Sequence, residues 1–434
     1  MQRTGRFAGA GGVGSAARRA GTAGVGPPAS VAGMVRLPLL AGARAPAARH
    51  DLPLLLGGTA VSTIGASLTL LAVTIHLRPA GAGWIAAVMA AELVPFVLLA
   101  PAVGHLVDRV RNRELLIVAI LLQAAGVLVA AFGGLADGRQ LVLVGALALV
   151  GVGSAVVSPT VASLLPRVTG EDGATRAYGW YSAIQQAGFL VGFALAGVLV
   201  EATSVRTALL VDAVTYVVMA VAVTALRTQR VPQAHEAEIG LWVGFDRLRR
   251  DRLLLVTVLG LGAAVLATVI VNVAEVFFVL EDIGAGPAAY GLVTALWPAA
   301  GVVAGWYAGR LGHERAQFVA LVWACVVMGA ALALAGAVVS LVAVGIGWLI
   351  GGAAGSVQRV ALTALVRERT PDAERGRVFA AIHAVVQAGN LAGLAVGAAV
   401  VGLIGARSSL LLSGALTALA GAAMWWIGRS ALRR

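Results

Sequence analysis

The sequence predicts an all-α integral membrane protein of twelve transmembrane helices, arranged as two pseudo-symmetric six-helix bundles. Three observations predict it. The 434 residues are 59% hydrophobic and 12% charged, with a mean hydropathy of +0.92, whereas soluble globular chains run about 45–50% apolar and about 25% charged. Apolar runs of about 18 residues or more recur with few charges, which is the length a helix needs to cross a bilayer. A group of residues near position 104 also returns 201 positions later. Backbone polar groups find no water in the bilayer, and strand-like alternation is missing, so helices rather than a barrel are expected.

Taken from the start, residues 1–50 are rich in Gly, Ala, Pro and Arg, hold no acid and contain no run long enough to span. They are expected to be a disordered cytoplasmic tail. Arg18 and Arg19 hint at a twin-arginine signal and the acid-free composition at a transit peptide, but no clean apolar core and cleavage site follows either. Translation from Met34 is an open alternative. Six spans are then expected near 52–77, 82–107, 115–135, 140–165, 177–201 and 205–226, making a first bundle over 51–226. The turn after the second is Gly104-His105-Leu106-Val107-Asp108-Arg109-Val110-Arg111-Asn112-Arg113. One acid and three arginines between two apolar runs make a short loop at a membrane surface. The fifth span carries Gly179, Gly188, Gly192 and Gly197, and small residues let helix backbones approach and slide. The longest connection, 227–252, has six arginines and four acids and reads as a solvated cytoplasmic linker. Six further spans are expected near 253–280, 287–310, 316–338, 340–366, 377–404 and 407–428. They make a second bundle, with a short tail, over 253–434.

Charge placement orients the chain. All 32 basic residues are Arg. In this topology 27 of them fall in one set of loops and tails, four on the other side (Arg78, Arg139, Arg206, Arg407), and Arg359 within a span. The arginine-rich side is therefore expected to be cytoplasmic, with both termini there and the chain in the cell membrane. The net charge of +12 invites a nucleic-acid partner, but no basic patch is interleaved with stacking aromatics, so none is expected. Without Lys there is no Walker loop and no Schiff-base chemistry. The single cysteine, Cys325, lies in an apolar run and reads as a small buried hydrophobe. No His-Glu-x-x-His or Gly-x-Ser-x-Gly occurs, Gly151-Val152-Gly153 lacks a third glycine, and the six histidines are scattered. Neither catalysis, nor a metal, nor any cofactor beyond a proton gradient is expected.

The turn at 104–113 comes back as Gly305-Trp306-Tyr307-Ala308-Gly309-Arg310-Leu311-Gly312-His313-Glu314-Arg315. Gly104 and Gly305 stand 201 residues apart, as do Arg109 and Arg310. The same offset relates Arg176, Gln186, Ala187, Gly188, Leu190 and Gly192 to Arg377, Gln387, Ala388, Gly389, Leu391 and Gly393. The chain is a duplication. Its first turn resembles the Gly-x-Leu-x-Asp-Arg-x-x-x-Arg signature between the second and third helices of major facilitator superfamily transporters, and the resemblance runs from about residue 50 onward. It implies the major facilitator fold, two parallel six-helix halves that rock about a mid-membrane cavity. It also implies a latch of Gly104, Asp108, Arg109, Arg113 and Arg310 that holds the cytoplasmic side shut. A loop whose charges only set orientation is the alternative. Arg111 stands where the family often has Gly, and Gly309 where the second copy would have Asp, so the latch is expected to be asymmetric. The glycines of the fifth span resemble the exporters' Gly-x8-Gly-x3-Gly-Pro-x-x-Gly-Gly, with Phe193 for Pro and Ala196 for the penultimate Gly; ordinary packing is the alternative. Together with Arg375-Gly376-Arg377-Val378-Phe379, they point to the bacterial macrolide, siderophore and drug exporters.

Ionisable groups inside a bilayer are costly and mark function. Glu92, ten residues into the second span and so about 15 Å along it, is the first candidate to bind and release a driving proton. Glu275, in a span that the resemblance places along the cavity, is the second, with Asn272 one turn away. Asp212, in a span peripheral in that fold, reads more as a structural hydrogen-bonding group. Arg359 has three open readings: contact with an anionic substrate, neutralisation of Glu92 or Glu275, and snorkelling beside Arg367. His383, one turn from Gln387, reads as a packing residue. Gln185, Gln186, Asn390, Trp297 and Trp348 are candidate pocket lining. Apolar walls with few charges suit lipophilic, cationic or zwitterionic compounds. The expected work is proton-coupled export of a small organic molecule by a bilayer-embedded monomer. An importer on the same fold and a membrane sensor or scaffold that binds without moving its ligand are the rivals.

Overall fold

A chain with so little polar surface has to satisfy its backbone within helices, and the computed structural model, which describes residues 46–228, 241–308 and 312–431, holds no strand among them. Residues 1–45 of the tail expected over 1–50, the middle of the linker and Arg310 lie outside the described residues. α1 runs Pro46–Leu77, α2 Ala82–Leu98, α3 Ala100–Arg109, α4 Asn112–Val129, α5 Gln140–Thr169, α6 Glu171–Ala202 and α7 Val205–Thr224. α8 is Leu241–Arg250, followed by α9 Arg252–Phe277, α10 Pro287–Ala308, α11 Glu314–Ala337, α12 Leu341–Arg369 and α13 Asp372–Gly428. Ten of the described helices are long and apolar enough to cross a membrane.

Two departures from that count have backbone causes. α13 has 57 residues, about 85 Å of helix against a hydrocarbon core of about 30 Å. It breaks at Gly405, where φ is 78° and ψ 168°, a conformation open only to glycine. Before the break Gly389 lies on Gly262 and Val265, Gly393 on Leu266 and Val269, and Gly397 on Ile270, so this half runs parallel to α9. After it Ser413 donates to the Ala267 carbonyl at 2.6 Å and Met424 lies on Gly260, so the chain has turned back. The spans expected at 377–404 and 407–428 are these two halves. The span expected at 82–107 is α2 and α3 with a bend at Leu99; Pro95 and Pro101 each lack the N–H that would continue a regular helix there.

Several helices begin earlier than hydropathy marks: α1 at Pro46 rather than near 52, α6 at Glu171 rather than 177, α13 at Asp372 rather than 377. Hydropathy senses the hydrocarbon layer, whereas backbone hydrogen bonding continues into the headgroups. The linker is not wholly solvated. Its α8 is amphipathic, with Leu248 buried, Gly244 against the Arg377 carbonyl, and Arg249 and Arg250 exposed. Ten residues are too few to register as a span.

The duplication is visible in packing. Gly188 and Gly192 of α6 sit on Thr63, Ile64 and Ser67 of α1, as Gly389 and Gly393 sit on α9. Arg206 opens α7 and donates from Nε to the Ala131 carbonyl at the end of α4 (3.1 Å). Arg407, at the same 201-residue offset, donates to the carbonyls of Gly336 (3.1 Å) and Ala337 (3.0 Å) at the end of α11. Each arginine caps orphan carbonyls at the negative end of a helix dipole. These arginines mark the arginine-poor rim; α3, α8 and the start of α13 mark the arginine-rich one.

Candidate functional site

Inside the first bundle, α1, α2 and α7 bring two of the candidate acids together. Asp212 is fully buried: its Oδ2 accepts from Thr69 Oγ1 at 2.5 Å and its Oδ1 from Thr215 Oγ1 at 3.1 Å. A side chain at Gly65 would collide with both Asp212 and Thr215, so a small residue on α1 makes room for the carboxyl. Glu92 is half-buried on α2, whose backbone presses on Gly151 of α5. It lies within electrostatic range of Asp212 and of the buried Tyr216 one turn beyond. All three helices place these groups about 10–15 Å from their arginine-poor ends at 1.5 Å per residue. Thr69 had no local signal, since it lies 143 residues from its partner.

The second bundle buries the third acid separately. Glu275 on α9 accepts on Oε1 from Thr294 Oγ1 of α10 (2.7 Å) and from Trp348 Nε1 of α12 (2.8 Å). Trp348, expected as pocket lining, is 2% exposed. It stands edge-on to Trp297 at 6.3 Å and turns its N–H to the Glu275 carboxyl. Both donors converge on one oxygen, which leaves Oε2 to carry a proton. Asn272, one turn away, is exposed and has no hydrogen bond to Glu275 among the described residues.

Between the bundles, Gln186 of α6 and Ser356 of α12 converge over Gly301 of α10: a Cβ on Gly301 would lie 3.0 Å from both Gln186 Nε2 and Ser356 Oγ. Arg359 donates to Ser356 Oγ at 3.0 Å. Ser356 was missed in the sequence, although its i, i+3 spacing to Arg359 was there to be read. Arg359 continues the stripe Trp348, Gly352, Gly355, which packs on Trp297, and it is exposed where that packing ends. The stripe on α6 behaves alike: Phe193 and Gly197 pack on Gly291, Gln186 on Gly301, and then Ser182 and Gly179 are exposed. A cleft therefore opens below Gly301 towards the arginine-rich rim. Its far end is closed by Gly197 against Gly291, by Glu201 Oε2 accepting from the Ala288 N–H (2.8 Å), and by Arg78 facing Glu281 (3.5 Å).

Other candidates fall elsewhere. Among the described residues Arg359 is not paired with Glu92 or Glu275, which corrects one of its expected roles; Glu275 has neutral donors and Arg359 a hydroxyl acceptor. Arg367 lies eight residues on, about 80° round the helix. Gln387 is buried and accepts from Asn390 Nδ2 at 2.8 Å within α13, and His383 meets the Phe96 ring edge-on at 6.1 Å across the bundles. Gln185 donates to the Tyr181 hydroxyl (3.1 Å). Of the four glycines of the motif on α6, Gly188, Gly192 and Gly197 make close approaches and Gly179 faces open space. In the latch, Arg109 is exposed and Arg113 half-buried. The Asp108 side chain and the surroundings of Gly104, like Arg310, lie outside the described residues. Sequence reading also missed a charge cluster at the arginine-rich rim, where Arg369 binds Asp251 (2.8 Å) and Glu314 (2.6 Å). Among the described residues no group of His, Cys, Asp and Glu is arranged to hold a metal ion.

Comparison with known proteins follows this geometry. The model of the Major Facilitator Superfamily matches residues 54–348 and 259–433. Among curated proteins none matches. Solved structures do. The POT family transporter PepTSo has a TM-score of 0.70 at 12% identity, covering 88% of this chain and 98% of its own. The nucleoside transporter NupG has 0.70 at 12%, covering 87% and 98%. A bacterial homologue of the iron transporter ferroportin, in its inward-facing state, has 0.66 at 17%, covering 87% and 98%. At such identities the likeness is one of fold.

Proposed function

We propose that this chain, which belongs to the Major Facilitator Superfamily and is a membrane transporter, exports small lipophilic organic compounds in exchange for protons. One observation carries the reading: three carboxyls, Glu92, Asp212 and Glu275, lie inside the spans, and none has a cationic partner among the described residues. An unpaired carboxylate in a low-dielectric interior is costly unless it takes up a proton, so each is a place where proton binding changes the local charge. Glu92 is accessible and shares its field with Asp212; Glu275 ties three helices of the other bundle. In this reading the arginine-rich rim faces the cytoplasm and the protein works as a monomer in the cell membrane. Substrate enters from the cleft and a proton enters from the opposite rim once the bundles rock. One proton crossing about 100 mV supplies about 2.3 kcal/mol, enough for roughly a fiftyfold gradient of a neutral compound at about 1.4 kcal/mol per decade.

The test is dye and drug efflux from a pump-deficient host, repeated in oriented proteoliposomes under an imposed pH gradient. Export that depends on the gradient and is lost in Glu275→Gln or Glu92→Gln, with folding intact, supports the proposal. Gradient-driven accumulation in the opposite sense would make the protein an importer, and binding without movement would make it a sensor.

A further inference from the structure

We infer that the cleft binds the carboxylate of an amphiphilic organic monoanion, gripped by the Arg359 guanidinium from one bundle and the Gln186 amide from the other. This rests on the transport reading above and names its substrate class. Arg359 is the arginine set deepest within a span, and a guanidinium brings five N–H donors. Its single hydrogen bond among the described residues goes to Ser356 Oγ at 3.0 Å. An arginine inside a membrane protein otherwise pairs with an acid or with backbone carbonyls, and among the described residues Arg359 has neither. The unused donors face the cleft, because Arg359 sits on the same stripe as Gly352 and Gly355, beyond the point where Trp297 covers it.

The second donor comes from the opposite side. Gln186 Nε2 and Ser356 Oγ meet over Gly301, where the missing side chain leaves room for both. A planar fork with a neutral N–H beside it matches two carboxylate oxygens. Among the described residues no second cation is found beside Arg359, so a dianionic phosphate would be left half neutralised, and a single negative charge fits better. The half-buried Trp297 offers an apolar wall for the rest of the molecule. Because the two donors ride on different bundles, a ligand held by both has different affinity in the two rocked states, and that difference is what ligand-driven rocking requires.

The test uses 9-anthracenecarboxylate and its neutral counterpart 9-anthracenemethanol, with energy transfer from the protein's tryptophans to the anthracene as the readout in detergent. The wild type should bind the carboxylate at least about tenfold more tightly. Arg359→Gln should abolish that preference, Arg359→Lys should leave part of it, and Gln186→Leu should weaken the carboxylate about threefold without changing the alcohol. Thermal transitions establish that each variant is folded. Equal binding of the two probes, binding of neither, or a preference unaffected by Arg359→Gln overturns the assignment. Arg359-dependent binding of a carboxylate that is never moved in proteoliposomes refutes the transport reading and leaves the site standing. Transport indifferent to Arg359 does the reverse.

Discussion

Replacing Trp348 by Phe removes the indole N–H together with part of a buried ring, and the share of the cost that depends on Glu275 reports the charge on that acid. The ring still stands against Trp297, while Glu275 Oε1 loses the donor at 2.8 Å and keeps Thr294 at 2.7 Å. A hydrogen bond between neutral groups contributes about 0.5–1.5 kcal/mol, and one to a charged group about 1.5–3 kcal/mol; measured interhelical bonds in a bilayer protein average about 0.6 kcal/mol. The expected coupling is therefore about 0.6–1.5 kcal/mol while Glu275 carries its proton and about 1.5–3 kcal/mol once it is ionised. A double-mutant cycle with Glu275→Met, of similar length but without an acceptor, removes the packing contribution. Unfolding by SDS in mixed micelles, at about pH 5 and about pH 9, supplies the four stabilities at each pH. The coupling should grow from the acidic to the alkaline condition, because only the ionised carboxylate strengthens the bond. A coupling below about 0.3 kcal/mol at both pH values would mean that the indole does not hold the acid. An equal coupling at both would mean that Glu275 does not exchange its proton in that range, and it would cease to be a coupling candidate.

Three further outcomes follow from the packing. Gly291→Val places a side chain against the Phe193 carbonyl and Gly197; overpacking of about 1–3 kcal/mol should favour opening of the arginine-poor rim by roughly five- to 150-fold. Labelling of Ala288→Cys in a Cys325→Ala background reads this, and unchanged labelling of a folded variant counts against the seam. Arg206→Ala and Arg407→Ala should each cost about 1 kcal/mol in the same unfolding assay, and a several-fold inequality would show that the two caps are not equivalent. Arg369→Ala leaves Asp251 and Glu314 facing each other at the arginine-rich rim. A loss of about 2 kcal/mol, partly recovered by adding Glu314→Gln, is expected, and no recovery would assign the loss to packing.

Much of the helical layout was legible because hydropathy and the 201-residue offset are written along the chain. Gly188 and Gly192 were marked as a helix-packing motif, and they do touch α1 as their copies touch α9. What was not legible lies in pairings or in short elements. α8 has too few residues to register as a span, and the bend at Leu99 follows from prolines that hydropathy averages away. The depth of Arg359 was readable, but its neighbours were not. Gln186 and Ser356 converge only because Gly301 leaves a gap, and Gln186 and Gly301 are 115 positions apart. Thr69 with Asp212, and Trp348 with Glu275, are likewise contacts between distant helices that no local pattern encodes.

Where Gly197 meets Gly291, main chain lies on main chain. Such a joint has no rotamers to reset and no ions to rehydrate when it parts, so separation leaves each surface ready to meet again unaltered. Ionic strength should then act chiefly on Arg78 and Glu281 above it, and turnover should tolerate salt far better than it tolerates a single added methyl group at either glycine.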